Sequence, residues 1–113
     1  MKIITRVLSI DDLKQMADTM FGNLVKAVVD VDKESIAVDA ELHSDLEALL
    51  IKDGSKQKSL WGINFYLEIE GDDFIEFDSM INIRPSQGNV IRGVKDEIVR
   101  QKIIEIVGRW IKK

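Results

Sequence analysis

Polar and apolar residues alternate one by one in four stretches of this chain and recur every three to four residues in three others. Alternation sends successive side chains to opposite faces of a strand, whereas the longer spacing marks one side of a helix. Over 24–32, Val25, Ala27, Val29 and Val31 share a face, with Lys26, Val28, Asp30 and Asp32 opposite. Over 36–42, Ile36, Val38, Ala40 and Leu42 face one way and Ala37, Asp39 and Glu41 the other. The polar turn Asp32-Lys33-Glu34-Ser35 between them predicts an antiparallel hairpin. A second hairpin is predicted from 60–70 and 74–83, joined by Glu70-Gly71-Asp72-Asp73. Its first strand points Trp61, Ile63, Phe65, Leu67 and Ile69 inward and Gly62, Asn64, Tyr66 and Glu68 outward. Its second points Ile75, Phe77, Ile81 and Ile83 inward, with Ser79 as a small polar exception, and Phe74, Glu76, Asp78, Met80 and Asn82 outward. The β-branched run over 2–8 makes a fifth strand.

Three helices fill the intervals. Ser9 reads as the N-cap of the first, with Asp11 and Asp12 in its opening turn and Gly22 as a left-handed stop. Leu42, Leu46, Leu49 and Leu50 predict a second, starting near Leu42–Ser44 and stopped by Asp53-Gly54. The third runs from Val94 or Lys95 to the C-terminus with Ile98, Ile103, Ile106, Val107, Trp110 and Ile111 as its apolar stripe. The order β-α-β-β-α-β-β-α predicts one α+β domain over 1–113, a mostly antiparallel sheet of about five strands with helices packed on one face. The alternative sends the second helix across the opposite face.

Composition narrows the function classes. The chain has 113 residues, 45% of them hydrophobic and 32% charged, which suits a globular domain with one core. A net charge of −4 disfavours nucleic acid as a partner. The absence of cysteine removes disulfides, thiolate metal sites and cysteine nucleophiles. No apolar run approaches the ~20 residues of a membrane span, and Arg6, Asp11 and Asp12 interrupt the N-terminal stretch too early for a signal peptide. A cytoplasmic protein is expected.

The candidate chemistry gathers on the outward faces and in the loop 84–93. Asp39, Glu41, Asn64, Asp78 and Asn82 are short or acidic groups on the polar sheet face, and short side chains are held more rigidly than the long ones of a merely wet surface. The loop adds Arg84, Gln87, Asn89 and Arg92 with two glycines and the only proline. Arginine forks and glycine-exposed backbone N–H groups ahead of a helix suit a phosphate or carboxylate. A structural role is the competing reading, with the arginines paired to Asp78, Glu76 or Asp96 and the glycines and asparagines making turns. Asp39, Glu41 and His43 are weaker candidates for a divalent metal, though no recognised ligand spacing is present. Nucleophilic catalysis has little support, since His43 is the only histidine and no G-x-S-x-G occurs. Trp61 and Trp110 lie on apolar faces and are expected in the core.

The blocks Val25–Val31, Asp39–His43, Asp53–Gln57, Leu60–Asn64 and Phe74–Asn89 resemble a family of short archaeal and bacterial proteins catalogued only as a domain of unknown function. Asp78-Ser79-Met80-Ile81-Asn82-Ile83-Arg84-Pro85 is the most specific part. The resemblance covers nearly the whole chain and implies a stand-alone domain, with no activity and no site roles. The reading best supported by the residues is a small-molecule or anion-binding domain using the polar face and the 84–93 loop. The alternatives are a homodimeric interaction module, favoured by Val28, Phe74 and Met80 on the polar face, and a hydrolase using a divalent metal.

Overall fold

The computed structural model describes residues 1–113. The elements are β1 (Lys2–Ile3), β2 (Leu8–Ser9), α1 (Ile10–Asp18), β3 (Leu24–Asp30), β4 (Ser35–Val38), α2 (His43–Lys52), β5 (Leu60–Tyr66), β6 (Ile75–Glu76), α3 (Glu97–Trp110) and β7 (Ile111–Lys112). Five strands form one sheet in the order β1-β4-β3-β5-β6, with every pairing antiparallel. β2 and β7 make a separate short parallel pair. The α+β class and the mostly antiparallel five-stranded sheet are therefore as the alternation predicts. No helix is long and apolar enough to cross a membrane.

Local signals set the helix ends. The Ser9 hydroxyl accepts the Asp12 N–H at 3.1 Å and the Asp12 carboxylate accepts the Ser9 N–H at 2.9 Å, a reciprocal cap. Beyond α1, Gly22 takes a φ of +82° and donates its N–H to the Ala17 carbonyl at 2.7 Å.

The sheet is covered on both faces. Val25, Ala27, Val29, Ile36, Val38, Ile63 and Phe65 form the larger core with Leu13, Met16 and Ala17 of α1 and Ile103, Ile106 and Val107 of α3. On the other face Val28, Ala37 and Leu60 pack against Leu46 and Leu50 of α2. One face thus holds two of the helices, and the second helix takes the opposite one. The physical cause is visible in β3 and β4, where Val28 and Ala37 supply apolar area on the side opposite the main core and Leu46 and Leu50 cover it.

The second hairpin is shorter than alternation predicts. β5 pairs with only two residues of β6, Asn64 with Glu76 and Phe65 with Ile75. The chain then leaves the ladder and makes a 3-10 turn at Met80–Asn82. Ile75 and Phe77 keep their inward places, but the positions on either side depart from the alternation. Phe74 is buried and stacks on Phe65 with ring centroids 5.3 Å apart, while Ser79 and Asn82 are buried and Ile83 is exposed. Gly62 explains the departure. A Cβ at position 62 would lie 2.5 Å from the Ser79 Cβ, so the missing side chain makes the space the turn occupies. Smaller corrections follow the same logic of packing over pattern. The run 2–8 splits into β1 and β2, which join different sheets. β4 stops at Val38 because Asp39 turns the backbone to φ +75°. Ile98 leaves the apolar stripe of α3 and stands in solvent. Val28 and Phe74 are buried, leaving Met80 as the exposed apolar group among the three expected on the polar face.

Candidate functional site

The loop 84–93 spends most of its polar groups on the protein itself. Arg84 is buried, donates through Nη1 to the Gln57 carbonyl and through Nη2 to the Leu60 carbonyl at 2.6 Å, and lies 4.2 Å above the Trp61 ring. Burial pushes its pKa below the ordinary arginine value, and the nearby Glu47 carboxylate opposes that shift. Asn89 donates to the carbonyls of Asn82 at 2.7 Å, Ile91 at 3.0 Å and Gly93 at 2.9 Å, and its Oδ1 accepts the Lys95 N–H at 2.9 Å. Asn82 holds both backbone groups of Gly62, accepting the N–H at 2.8 Å and donating to the carbonyl at 3.0 Å, with a further bond to the Arg92 carbonyl at 2.8 Å. Its carboxamide takes the place of a neighbouring strand where β6 has ended. Three of the predicted ligand-binding residues, Arg84, Asn82 and Asn89, thus satisfy buried backbone groups.

The rest of the predicted set divides. Asp39 sits in the turn after β4, 3.5 Å from the N-terminal amine. Glu41 is exposed ahead of α2. No group of three or more histidine, aspartate and glutamate side chains lies close enough to hold a metal, so Asp39, Glu41 and His43 do not combine into a ligand set. Gln87 donates to the Lys58 carbonyl at 3.1 Å and lines, with Asn89, a groove of about 510 Å³ beside Lys58, Trp61 and Lys95. Asn64 and Asp78 remain on the polar half of the sheet face, next to His43.

That polar half is a cleft of about 160 Å³ where α2 begins. Lys26 of β3, His43 and Ser44 of α2, Ser79 and Arg92 line it, with Leu42 and Met80 at its edge. His43 is buried and its Nε2 lies 2.8 Å from the Ile63 carbonyl. Burial lowers the His43 pKa below the ordinary imidazole value, reinforced by the Lys26 charge, against the Ile63 carbonyl, Asp78 and the Asn64 carboxamide, which favour the charged ring. A neutral ring bonded to a carbonyl carries its proton on Nε2, which makes Nδ1 an acceptor.

The first turn of α2 is similarly open. Its N-cap, Leu42, has no side-chain acceptor to offer. The Asp45 N–H reaches the Leu42 carbonyl at 3.2 Å, while the N–H groups of His43 and Ser44 make no bond within the protein. Lys26 makes no ion pair, its ammonium lying 5.3 Å from the Phe21 ring. Arg92 pairs with Asp78 at 2.6 Å, both half in solvent, and this pairing raises the arginine pKa. Behind them the Asn64 amide donates to Glu76 at 2.9 Å and to the Asp78 carbonyl at 3.3 Å, leaving its buried Oδ1 unpartnered. Tyr66 donates to the same Glu76 oxygen at 3.3 Å, and burial and Glu76 raise its pKa.

Sequence reasoning placed His43, Asn64, Asp78 and Arg92 among the candidates. It missed Ser44 and Ser79 as cleft residues, and it missed Lys58, Trp61 and Lys95 as groove residues. An N-cap position filled by leucine was a readable sign of an unsatisfied helix end. No local signal brings Lys58 and Lys95 together, because they lie 37 positions apart and meet only through the tertiary fold.

The family described as protein of unknown function (DUF5674) matches residues 2–110 of the chain. No curated protein and no solved structure matches it significantly.

Proposed function

Because the chain belongs to the DUF5674 family of proteins of unknown function, we propose its role from the geometry of the site: it is a binding domain for a small oxyanion, held in the cleft at the start of α2. The observation that carries this reading is the uncapped first turn of α2 beside a buried histidine whose Nδ1 is an acceptor. The two free N–H groups and the helix dipole favour a negative charge at that point. Lys26, which makes no ion pair, and Arg92, paired to Asp78, supply cations at the rim, and the Ser44 and Ser79 side chains line the same space. Nδ1 of neutral His43 suits an anion that carries its own proton, such as hydrogen phosphate. A volume of about 160 Å³ exceeds the ~10–15 Å³ that one water needs, room for a tetrahedral oxyanion, and lies below the ~300 Å³ at which pockets for larger organic ligands begin.

Titration with inorganic phosphate, followed by amide 1H–15N spectra, tests this. Saturable shifts are expected at the His43 and Ser44 amides, weakened at least tenfold in Lys26→Ala/Arg92→Ala. Amides that stay put at millimolar phosphate, or an unchanged affinity in the double variant, would sink the proposal.

A second reading, a homodimeric module, draws on Met80 and Val90, 65% and 63% exposed, with Ile83 and Ile91 also exposed in the same stretch of chain. Sedimentation at increasing concentration checks it. A monomer throughout removes it, whereas a dimer dispersed by Met80→Lys/Val90→Lys supports it.

A further inference from the structure

A second cavity lies away from that cleft, between the 84–93 loop and the start of α3. It is the groove of about 510 Å³ lined by Val31, Lys58, Trp61, Lys95, Asp96 and Val99, a volume within the range of small-ligand sites. Trp61 is 6% exposed, yet its indole N–H makes no hydrogen bond in the protein and is not sealed away as a buried orphan. A buried indole N–H ordinarily finds an acceptor. The other tryptophan does so, donating to the Glu34 carbonyl at 2.9 Å. Trp61 lines the groove, so a ligand there lies beside an unused donor held rigidly by its surroundings. The Arg84 guanidinium stacked on the ring 4.2 Å away and the bonds that hold Arg84 lock the indole in place.

The charges point the same way. Lys58 and Lys95 flank the groove and neither makes an ion pair. Asp96 is already engaged as the N-cap of α3, accepting the Ile98 N–H at 2.8 Å. Val31 and Val99 provide apolar wall. We infer that the groove is a binding site for an organic anion with an apolar body. The acidic group lies between Lys58 and Lys95, an acceptor atom meets the Trp61 indole N–H, and the body rests against Val31 and Val99.

This site is independent of the oxyanion cleft, and its test reads a different probe at a different residue. The probe is 1-naphthyl phosphate, with inorganic phosphate and 1-naphthol as the anion and the apolar body taken separately. The chain has two tryptophans, so each indole N–H gives one resolved proton–nitrogen signal. A saturable shift of the Trp61 signal with 1-naphthyl phosphate is expected, with Trp110 unmoved. Each control alone is expected to bind at least tenfold more weakly. Lys58→Glu/Lys95→Glu is expected to reduce affinity at least tenfold while the Trp110 signal keeps its position, showing the fold intact. Lys26→Ala/Arg92→Ala is expected to leave this binding unchanged. A Trp61 signal that does not move, or binding that survives the double charge reversal, overturns the inference. Loss of binding in the Lys26/Arg92 variant would also overturn it, by moving the probe to the cleft.

Discussion

The second face of the sheet has two halves that share β3 and β5, and they were put to opposite uses. In one half Val28, Ala37 and Leu60 lie under Leu46 and Leu50, fully buried. In the other, Lys26 of β3 and Asn64 and Tyr66 of β5 face Glu76, Asp78 and the start of α2. His43, Leu46 and Leu50 form one stripe on α2 at positions i, i+3 and i+7. The helix that seals the apolar half therefore delivers its N-terminal end, with its unpaired N–H groups, to the polar half. Gly62 marks the boundary, since its lack of a side chain lets Ser79 and Asn82 close over β5. The lesson is that a helix stabilises a sheet with its side and offers chemistry at its end.

The strongest way to break this comparison is to remove the boundary. Asn82→Ala leaves the Gly62 N–H and carbonyl without partners in a dry site. At about 1–3 kcal/mol for each unsatisfied buried group, a loss of about 3–5 kcal/mol is expected, measured by urea denaturation. A loss below 1 kcal/mol would mean that water replaces the carboxamide. Gly62→Ala forces a Cβ against Ser79 and is expected to cost about 1–3 kcal/mol as overpacking. Ser79→Gly in the same background should restore part of that loss, and strict additivity of the two changes would contradict the close approach.

The polar half also has a pH signature. His43 binds its proton less tightly in the folded state than in the unfolded chain. Between the ordinary imidazole pKa near 6.5 and the lowered folded value, the unfolded chain therefore binds more protons, and stability falls as pH falls through that window. Denaturation at pH 7.5 and 5.5 should show a drop that His43→Gln lacks. An equal drop in both proteins would assign it to other groups. The smallest expected effect on stability is that of Arg92→Ala, whose ion pair with Asp78 is open to solvent. Its melting temperature should barely move even as phosphate binding weakens, which separates binding from folding.

Comparing the two arginines of the loop shows why the site was only partly legible. Arg84 and Arg92 look alike in sequence, each a forked cation in a polar segment. Arg84 lies across β5 with two of its donors taken by carbonyls, and Arg92 stands at the surface beside Asp78. Nothing local separates them, because the acceptors of Arg84 come from positions 57 and 60. The same applies to Asn82, which alternation assigns to the outer face and which is wholly buried. A period of two describes a strand only while the ladder continues, and here it ends at Glu76.

The sequence by itself determined the elements whose causes are local. Ser9 and Asp12 cap α1, Gly22 and Gly54 supply positive φ where α1 and α2 stop, and the alternation of Val25, Ala27 and Val29 in β3 and of Trp61, Ile63 and Phe65 in β5 makes strands with a continuous apolar face toward the main core. These follow from backbone sterics and from residues a few positions apart, so one chain suffices to read them. Tertiary structure alone decided which face α2 covers, where the 79–82 turn lies, which arginine stays at the surface and that Lys58 and Lys95 line one groove. Those outcomes depend on groups distant in sequence competing for the same buried space and the same carbonyls, as Gly62 and Asn82 do. Such competition is settled by packing and by the cost of leaving a buried polar group unpaired, and neither is written in the local pattern.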